Sequence, residues 1–543
     1  MIPMVKYIFS SIKENFLLFL IYVILSLFSA GFALAIPQLI GIFVDLLPIL
    51  TTGRDAQQIL FLLFITWGAQ IIMSYAHNMT AVKLHTKTFF CMTSRVMAHA
   101  KRIPIENFEN DSSAYFAQRI NLDTANLINF FMNNVLGAII NAFAVIFIIF
   151  IMLETSIVMT AVTLLIIPIY IAMHIVMKKP LSTSTRSLKE TRDTFFSALT
   201  NQIMHIKNIK LHSLINETDC RLETQYLPVI DTAIKNAKIK QVYSITEFLA
   251  KYSISIVVFV YSLIEIINNR MTVGEFTVLN TYVGMLVSNI SAFLSFAKVY
   301  ETANVSYNRT MEIMNVPVEH FGHTEIEKIN NIAIENLSFR YGGCNNGANF
   351  LYDGFSCKFE AGKIYALTGG NGRGKSTMLM LMLGLMRNYS GRIFYNEYSI
   401  FDINMESIRK KNIAVVTQNV DFVFDTLSEN MDAYNLSSVK LQDYIKILNL
   451  ENFFDGAYSN NENQESAIDM AKLSLGEKQK VSLLQAMAKN ADVLLLDEPS
   501  SGLDDLGVEG LCNILQNEKN DRIIIIVTHD DALIDISDEQ INI

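Results

Sequence analysis

The chain has 543 residues, of which 51% are hydrophobic and only 17% charged, with a net charge of −9 and a mean hydropathy of +0.30. At roughly 100–200 residues per domain it is too long for one compact unit, too apolar for an ordinary soluble protein, and too acidic to neutralise a nucleic-acid backbone. Its five scattered cysteines form no CxxC and no zinc-type cluster with histidine, which excludes a disulfide scaffold.

The charge divides the chain in two. Residues 1–330 hold 25 Lys+Arg and 22 Asp+Glu, a net of +3, whereas 331–543 hold 18 and 30, a net of −12. The first part reads as membrane, because a span needs about 20 apolar residues. At the N-terminus Val5, Ile8, Phe9, Ile12 and Phe16 recur at helical spacing opposite Lys6 and Lys13, a pattern that suits either a short interfacial helix or the first turn of the first span. Uncharged stretches then predict spans between Glu14 and Asp45, over Ile59–Val82, between Asp123 and Glu154, and over Thr155–Met177. Gln241–Ile264, with Glu247 and Lys251 near its start, is a fifth, and Phe276–Ala297 a sixth.

With the N-terminus inside, the segments 1–15, 83–123 and 178–240 carry 2, 6 and 11 Lys+Arg, whereas the outside loops near 51–58, 153–156 and 265–275 carry 1, 0 and 1. That bias sets the orientation, with both termini in the cytosol. The long inside stretches are polar with helical spacing, so the spans are expected to continue as helices well beyond the bilayer. Span three offers Asn121, Asn126, Asn129, Asn133, Asn134 and Asn141, and span six Asn280 and Asn289. These fit either a polar cavity or hydrogen bonds between helices.

In the second part, Ile332–Phe339, Lys363–Thr368, Arg392–Tyr395, Ile413–Thr417, Val493–Leu496 and Ile523–Val527 are predicted strands alternating with helical stretches. Near-continuous apolar strands of this kind belong to a buried parallel sheet. Gly369-Gly370-Asn371-Gly372-Arg373-Gly374-Lys375-Ser376 matches GxxxxGK[ST] directly after a strand and before the apolar run Met378–Leu385. Glycines there let backbone N–H groups curl around phosphate oxygens, Lys375 reaches the β/γ-phosphates, and the Ser376 hydroxyl ligates Mg²⁺. The run Val493-Leu494-Leu495-Leu496-Asp497-Glu498 is a strand ending in carboxylates: Asp497 is the partner such a loop needs to hold Mg²⁺, and Glu498 is placed to orient or deprotonate the attacking water.

With these motifs in order the chain resembles the ABC transporters, specifically exporter-type half-transporters, over essentially its whole length. Leu473-Ser474-Leu475-Gly476-Glu477-Lys478-Gln479-Lys480 is similar to the family's LSGGQ signature, Ser501-Gly502-Leu503-Asp504 to its D-loop, His529 to its switch histidine, and Gln418 to its Q-loop glutamine, a ligand of Mg²⁺. Tyr341, in Phe339-Arg340-Tyr341-Gly342, resembles the aromatic that stacks on adenine. Ile36–Asp45 looks like the end of the first helix, Pro104 through Asp123 with Phe108 and Arg119 like the first cytosolic loop, and Phe196–Leu211 with Ile206-Lys207 like the second. The signature departs from the pattern, with Leu475 where the family has glycine and Glu477 where it has glutamine, and Ser466–Ala471 replaces the usual Gly-Glu-x-Gly.

The resemblance implies an all-α six-span membrane domain over 1–318 followed by an α/β P-loop ATPase domain over 330–543. It implies catalytic roles for Glu498, His529 and Gln418, and ATP contacts from Tyr341, Gly369 through Ser376, Thr377, Ser474, Gly476 and Asp504. Ser376, Gln418 and Asp497 would hold the Mg²⁺. Each ATP site needs a P-loop from one subunit and a signature from another, so a homodimer or a heterodimer with another half-transporter closes it. The expectation is ATP-driven export of a peptide-like or amphipathic substrate across a bacterial cytoplasmic membrane. A multidrug or lipid exporter, an exporter-fold importer and an ATP-gated sensor subunit are the alternatives. The sequence shows no N-terminal protease domain, so a leader peptide would be removed elsewhere.

Overall fold

A computed structural model of the chain describes residues 1–47, 53–107, 113–319, 322–341, 350–370, 372–433, 441–451 and 469–543. Phe108, Gly342, Asn371 and the first residues of Ser466–Ala471, all singled out above, lie outside the described residues. Two compact units form: Met1–Lys101 with Ala114–Val316, and Arg102–Ser113 with Pro317–Ile543.

The first unit is all helix. It is built from α1 (Ile2–Ile12), α2 (Phe16–Leu46), α3 (Gly53–Ala100), α4 (Ser113–Asn129), α5 (Leu136–Thr155), α6 (Ile157–Met204), α7 (Ile206–Leu211), α8 (Ile215–Ile267) and α9 (Val273–Met314). Six stretches among the described residues are long and apolar enough to cross a membrane. Helices of 48, 48 and 53 residues run through α3, α6 and α8, about 72–80 Å at 1.5 Å per residue, so these spans do continue far past a hydrocarbon core.

The short first helix packs one face onto the bundle. Met4, Ile8 and Ile12, one turn apart, are buried and pack into a cluster with Leu84, Met92 and Leu127, while Phe9 and Phe16 are exposed. The helix is stapled to the bundle by its Met4 face.

Three features of the bundle are invisible in hydropathy. Span three contains a π-helical turn over Phe130–Val135, and the Tyr22 hydroxyl donates to the Met132 carbonyl that this widening frees. Asn126 donates to Ser306, and His85 meets Asn129 at 3.2 Å, so two of the span-three asparagines serve as links between helices. At one end of α2 and α9, Asp45 accepts from the Gly274 N–H and from the Thr272 hydroxyl, both at 2.6 Å. Thr272 and Glu275 themselves form a capping box at the start of α9. A Cβ on Gly274 would run into the Gly41 carbonyl and the Asp45 carboxylate, so this contact needs glycine.

The second unit holds two sheets. A five-stranded parallel sheet has the order β6 (Ile413–Val416), β7 (Val493–Asp497), β8 (Ile523–Val527), β3 (Ile364–Thr368), β9 (Glu539–Asn542). A four-stranded antiparallel sheet has the order β2 (Tyr352–Glu360), β1 (Asn331–Phe339), β4 (Ser390–Tyr395), β5 (Tyr398–Ser399). β7 and β8 are wholly buried, as their unbroken apolar runs require. Strand β2 was missed because Gly354 (φ +68°) breaks its alternation, and β9 because Glu539 and Gln540 make an edge strand polar.

The expected boundary put all of 1–318 in the membrane domain. Arg102–Ser113 belongs instead with the second unit. The Arg102 carbonyl accepts from the Glu319 N–H at 2.7 Å, Glu106 accepts from the Arg387 N–H at 3.1 Å, and Ile103 is buried.

Candidate active site

Four parallel strands deliver the candidate residues to one edge of the sheet. β3 ends at Thr368 and leads into the glycine loop, β6 ends just before Gln418, β7 ends in Asp497 and Glu498, and β8 leads to His529. The carboxyl edge of an open parallel sheet is where such folds bind their ligands. Gly369 has φ +146° and Gly374 φ +97°; a Cβ on Gly374 would lie 2.6 Å from the Leu351 side chain and 2.7 Å from the Tyr352 hydroxyl. The loop therefore closes tightly and hands over to the helix Lys375–Met382 with Gly374 as its N-cap. That N-terminus points its free N–H groups at the site.

Lys375 is buried within this turn. Its ammonium donates to the Gly369 carbonyl at 2.8 Å and to Nε2 of His529 at 2.9 Å. An ammonium only donates, so His529 must accept through Nε2 and carry its proton on Nδ1. The Ser376 hydroxyl lies beside Asp497. Burial pushes the Asp497 carboxyl above its ordinary range; the Ser376 hydrogen bond opposes the rise, the charge of Glu498 adds to it, and Lys375 opposes it. A cation brought beside Asp497 would favour its ionised form.

Glu498 is held in an uncommon conformation. Its φ is +48°, a left-handed setting costly for a non-glycine residue. Its N–H donates to the Val527 carbonyl at 2.8 Å, Gln479 reaches its carbonyl at 3.5 Å, and Gln418 Nε2 donates to its carboxylate at 3.0 Å. The backbone is thus fixed from β8 and from the signature helix, and the carboxylate from the end of β6. Gln479, only 1% exposed, is a positioning residue within the signature stretch, and only its contact with Glu498 reveals the role. Tyr341 sits at the same site through a 2.8 Å hydrogen bond to Thr377, with its ring half exposed. Gly370, Gly372 and Arg373 complete the loop, with the Arg373 N–H donating to Gly370.

A second group gathers at the start of the helix Leu475–Ala488. Ser474 is its N-cap, and the Glu477 carboxylate accepts from the Ser474 N–H at 2.7 Å while the Ser474 hydroxyl accepts from the Glu477 N–H at 3.3 Å. This capping box gives Glu477 a local role at N3 that a glutamine would fill as well. Its hydrogen bonds from the Ser474 hydroxyl and N–H hold the Glu477 carboxyl below its usual range. Leu475 is 65% exposed and its φ is negative, so its backbone needs no glycine and its side chain is not packed on a neighbouring helix. Gly476 is the position that does need glycine, because a Cβ there would lie 2.6 Å from the Gly502 carbonyl. Lys480 pairs with Asp504 at 3.8 Å. Among the described residues no hydrogen bond or ion pair joins Ser474, Gly476 or Asp504 to the P-loop of the same chain.

The sequence matches the model for the ABC transporter transmembrane region over residues 19–290, half of the chain, and that for the ABC transporter ATP-binding module over 352–501. The chain belongs to the ABC transporters. It is similar to the microcin-J25 export ATP-binding/permease protein McjD of Escherichia coli, 27% identical over 52% of this chain and 48% of that one, so this match spans about half of the relative's length. It is also similar to the sublancin-168-processing and transport protein SunT of Bacillus subtilis, 25% identical over 97% of this chain and 74% of that one. An ATP-dependent lipid A-core flippase of Mannheimia succiniciproducens is 21% identical over 86% of this chain and 80% of that one. A bacterial Atm1-family ABC exporter solved with ATP bound has the same fold, with a TM-score of 0.78 over 96% of this chain and 92% of that one, at 17% identity. Six spans and an ATPase module make this chain a membrane-embedded, ATP-hydrolysing transporter with the fold of a half-transporter, a class that works as dimers.

Proposed function

We propose that the chain exports a peptide-like or amphipathic molecule across the cytoplasmic membrane of a bacterium as a homodimer with its ATPase units in the cytosol. The observation that carries the ATPase half is the meeting of Lys375, Ser376, Gln418, Asp497, Glu498 and His529 at one sheet edge. ATP would lie with its phosphates on the N–H groups of Gly369–Thr377 and its adenine against Tyr341. Lys375 exchanges its loop carbonyls for phosphate oxygens. His529 leaves Lys375 and turns its ring toward the γ-phosphate. Glu498, steered by Gln418, takes a proton from the attacking water.

The oxygen donors Ser376, Asp497 and Gln418 suit Mg²⁺, which is usually bound through one or two carboxylates and completes its shell with other oxygens, phosphates and water. No group of three or more His, Cys, Asp or Glu among the described residues would hold an ion unaided. Bound there, Mg²⁺ would neutralise charge developing on the phosphates.

The signature group is one end of the same site. Ser474 and Gly476 would meet the γ-phosphate of ATP held by the partner copy, with Asp504 at the seam, and this supports a two-copy arrangement. Peptide cargo is favoured by the similarity to McjD and SunT, and a lipid cargo by the similarity to the flippases. Proteoliposomes test the choice: ATP-dependent uptake of a labelled amphipathic peptide into inside-out vesicles supports peptide export. ATP-dependent movement of a labelled lipid without peptide uptake would replace it with the flippase reading.

A further inference from the structure

Glu247 is the one carboxylate in the apolar middle of α8 between Lys240 and Glu265, and acidic groups in spans are costly enough to mark function. It lies near Lys178–Lys179, where the apolar stretch of α6 ends on the side that the charge bias makes cytosolic. The Tyr170 hydroxyl of α6 donates to its carboxylate at 3.1 Å and also contacts the Ser291 hydroxyl of α9, so three spans meet at one phenol. His174 Nδ1 contacts the Tyr243 hydroxyl at 2.7 Å beside it. Lys251, one turn along α8, is exposed, and Glu247 forms no ion pair among the described residues.

The protons of this cluster fall short of its acceptors. Tyr170 has one proton, given to Glu247, and Ser291 has one, shared between Tyr170 and its own helix carbonyl at Val287. Half of the Glu247 carboxylate therefore lacks a donor among the described residues. Beside it is a cavity of about 10 Å³ lined by Glu247, Tyr170, Tyr243, His174, Met173 and Met177. That is room for about one water-sized group. A primary ammonium is of that size, carries three protons and accepts none, and aromatic faces and thioethers favour it further.

We propose that this recess binds a primary ammonium group of the transported molecule, a lysine side chain or free amino terminus of an amphipathic peptide. The inference rests on the peptide-export reading and narrows its cargo. The test uses the full chain in phosphatidylcholine nanodiscs and a fluorescent amphipathic peptide with a single lysine in three forms: free, acetylated and trimethylated. The free form should bind about tenfold more tightly than either of the others, because acetylation removes the charge and trimethylation the protons and the fit. Glu247→Gln should erase the preference, Glu247→Asp should keep part of it, and Tyr170→Phe should weaken it, with folding of each checked by its melting profile.

Equal affinity for the three forms in the wild-type protein overturns the proposal without need of any variant. So does a preference that survives Glu247→Gln, or binding of phosphatidylethanolamine-doped discs in place of the peptide, which would assign the recess to a lipid headgroup. Failure of vesicle uptake with an intact lysine preference would sink the export reading alone.

Discussion

Replacing Gly476 by alanine tests whether the signature and the D-loop are packed as one piece. The new methyl would lie 2.6 Å from the Gly502 carbonyl oxygen, and that atom is backbone with its own residue at φ +83°. Neither side can rotate a flexible group away, so the helix start or the D-loop must shift by several tenths of an ångström. Overpacking of this kind costs about 1–3 kcal/mol, which in a domain of this size lowers the melting temperature by about 2–12 °C. The shift has a route to the chemistry. The Ser501 N–H donates to the Glu498 carbonyl at 3.1 Å, and Gln479, on the displaced helix, reaches the same carbonyl. Steady-state ATPase should fall about tenfold or more, as expected when a catalytic group moves by a fraction of an ångström, while binding of a fluorescent ATP analogue to the P-loop persists. Leu475→Ala, one residue away and exposed, serves as the control for stability. A Gly476→Ala protein that melts and hydrolyses like wild type would refute the contact and the coupling argued from it.

Glu498→Gln should keep ATP binding and lower hydrolysis by about 10²–10⁴-fold, the usual contribution of a general base; a rate within about threefold of wild type would remove Glu498 from that role. Leu475→Gly should change stability by no more than about 1 kcal/mol and leave turnover within a factor of about two, since the backbone already has helical geometry; a large gain in ATPase would show that leucine does obstruct the signature. Burial lowers the Lys489 ammonium to about 8, below its value in the unfolded chain, so between about pH 8 and 10 the unfolded state binds more protons and wild-type stability rises with pH. Lys489→Met lacks this dependence, so the stability of wild type relative to the variant should climb over that window; a constant difference in denaturant midpoints would contradict it.

What could be read from sequence followed chemistry that is local in the chain. The P-loop, the β7 carboxylates and the six spans announce themselves because each is a contiguous run whose physics needs few partners. The signature was read less well. Ser474 and Glu477 already spelled a capping box at i and i+3, yet they were compared with a family pattern in place of their own spacing. The need for glycine at 476 arises from Gly502, 26 positions on, and the left-handed Glu498 from Val527 and Gln479. The π-helical turn in span three leaves no trace in hydropathy, because Phe130–Val135 is as apolar as its surroundings apart from two asparagines. Arg102–Ser113 has the composition of any polar connection, and only its partners Glu319 and Arg387 reveal where it belongs.

The junction of Asp45 with Gly274 and Thr272 constrains how this transporter can move. Two 2.6 Å hydrogen bonds to one carboxylate, at the start of a helix whose dipole also favours it, tie the far end of α2 to the beginning of α9. Beneath it Gly41 and Gly274 approach so closely that a Cβ on Gly41 would meet Val278 and one on Gly274 the Gly41 carbonyl. The first and last spans are therefore expected to travel as a single strut through the transport cycle. A passage to the outside is then expected to open along a different seam of the bundle, and a cysteine pair that cross-links α2 to α9 near Leu34 and Tyr282, clear of the glycine contact, should leave transport running, whereas a cross-link across the true seam should stop it.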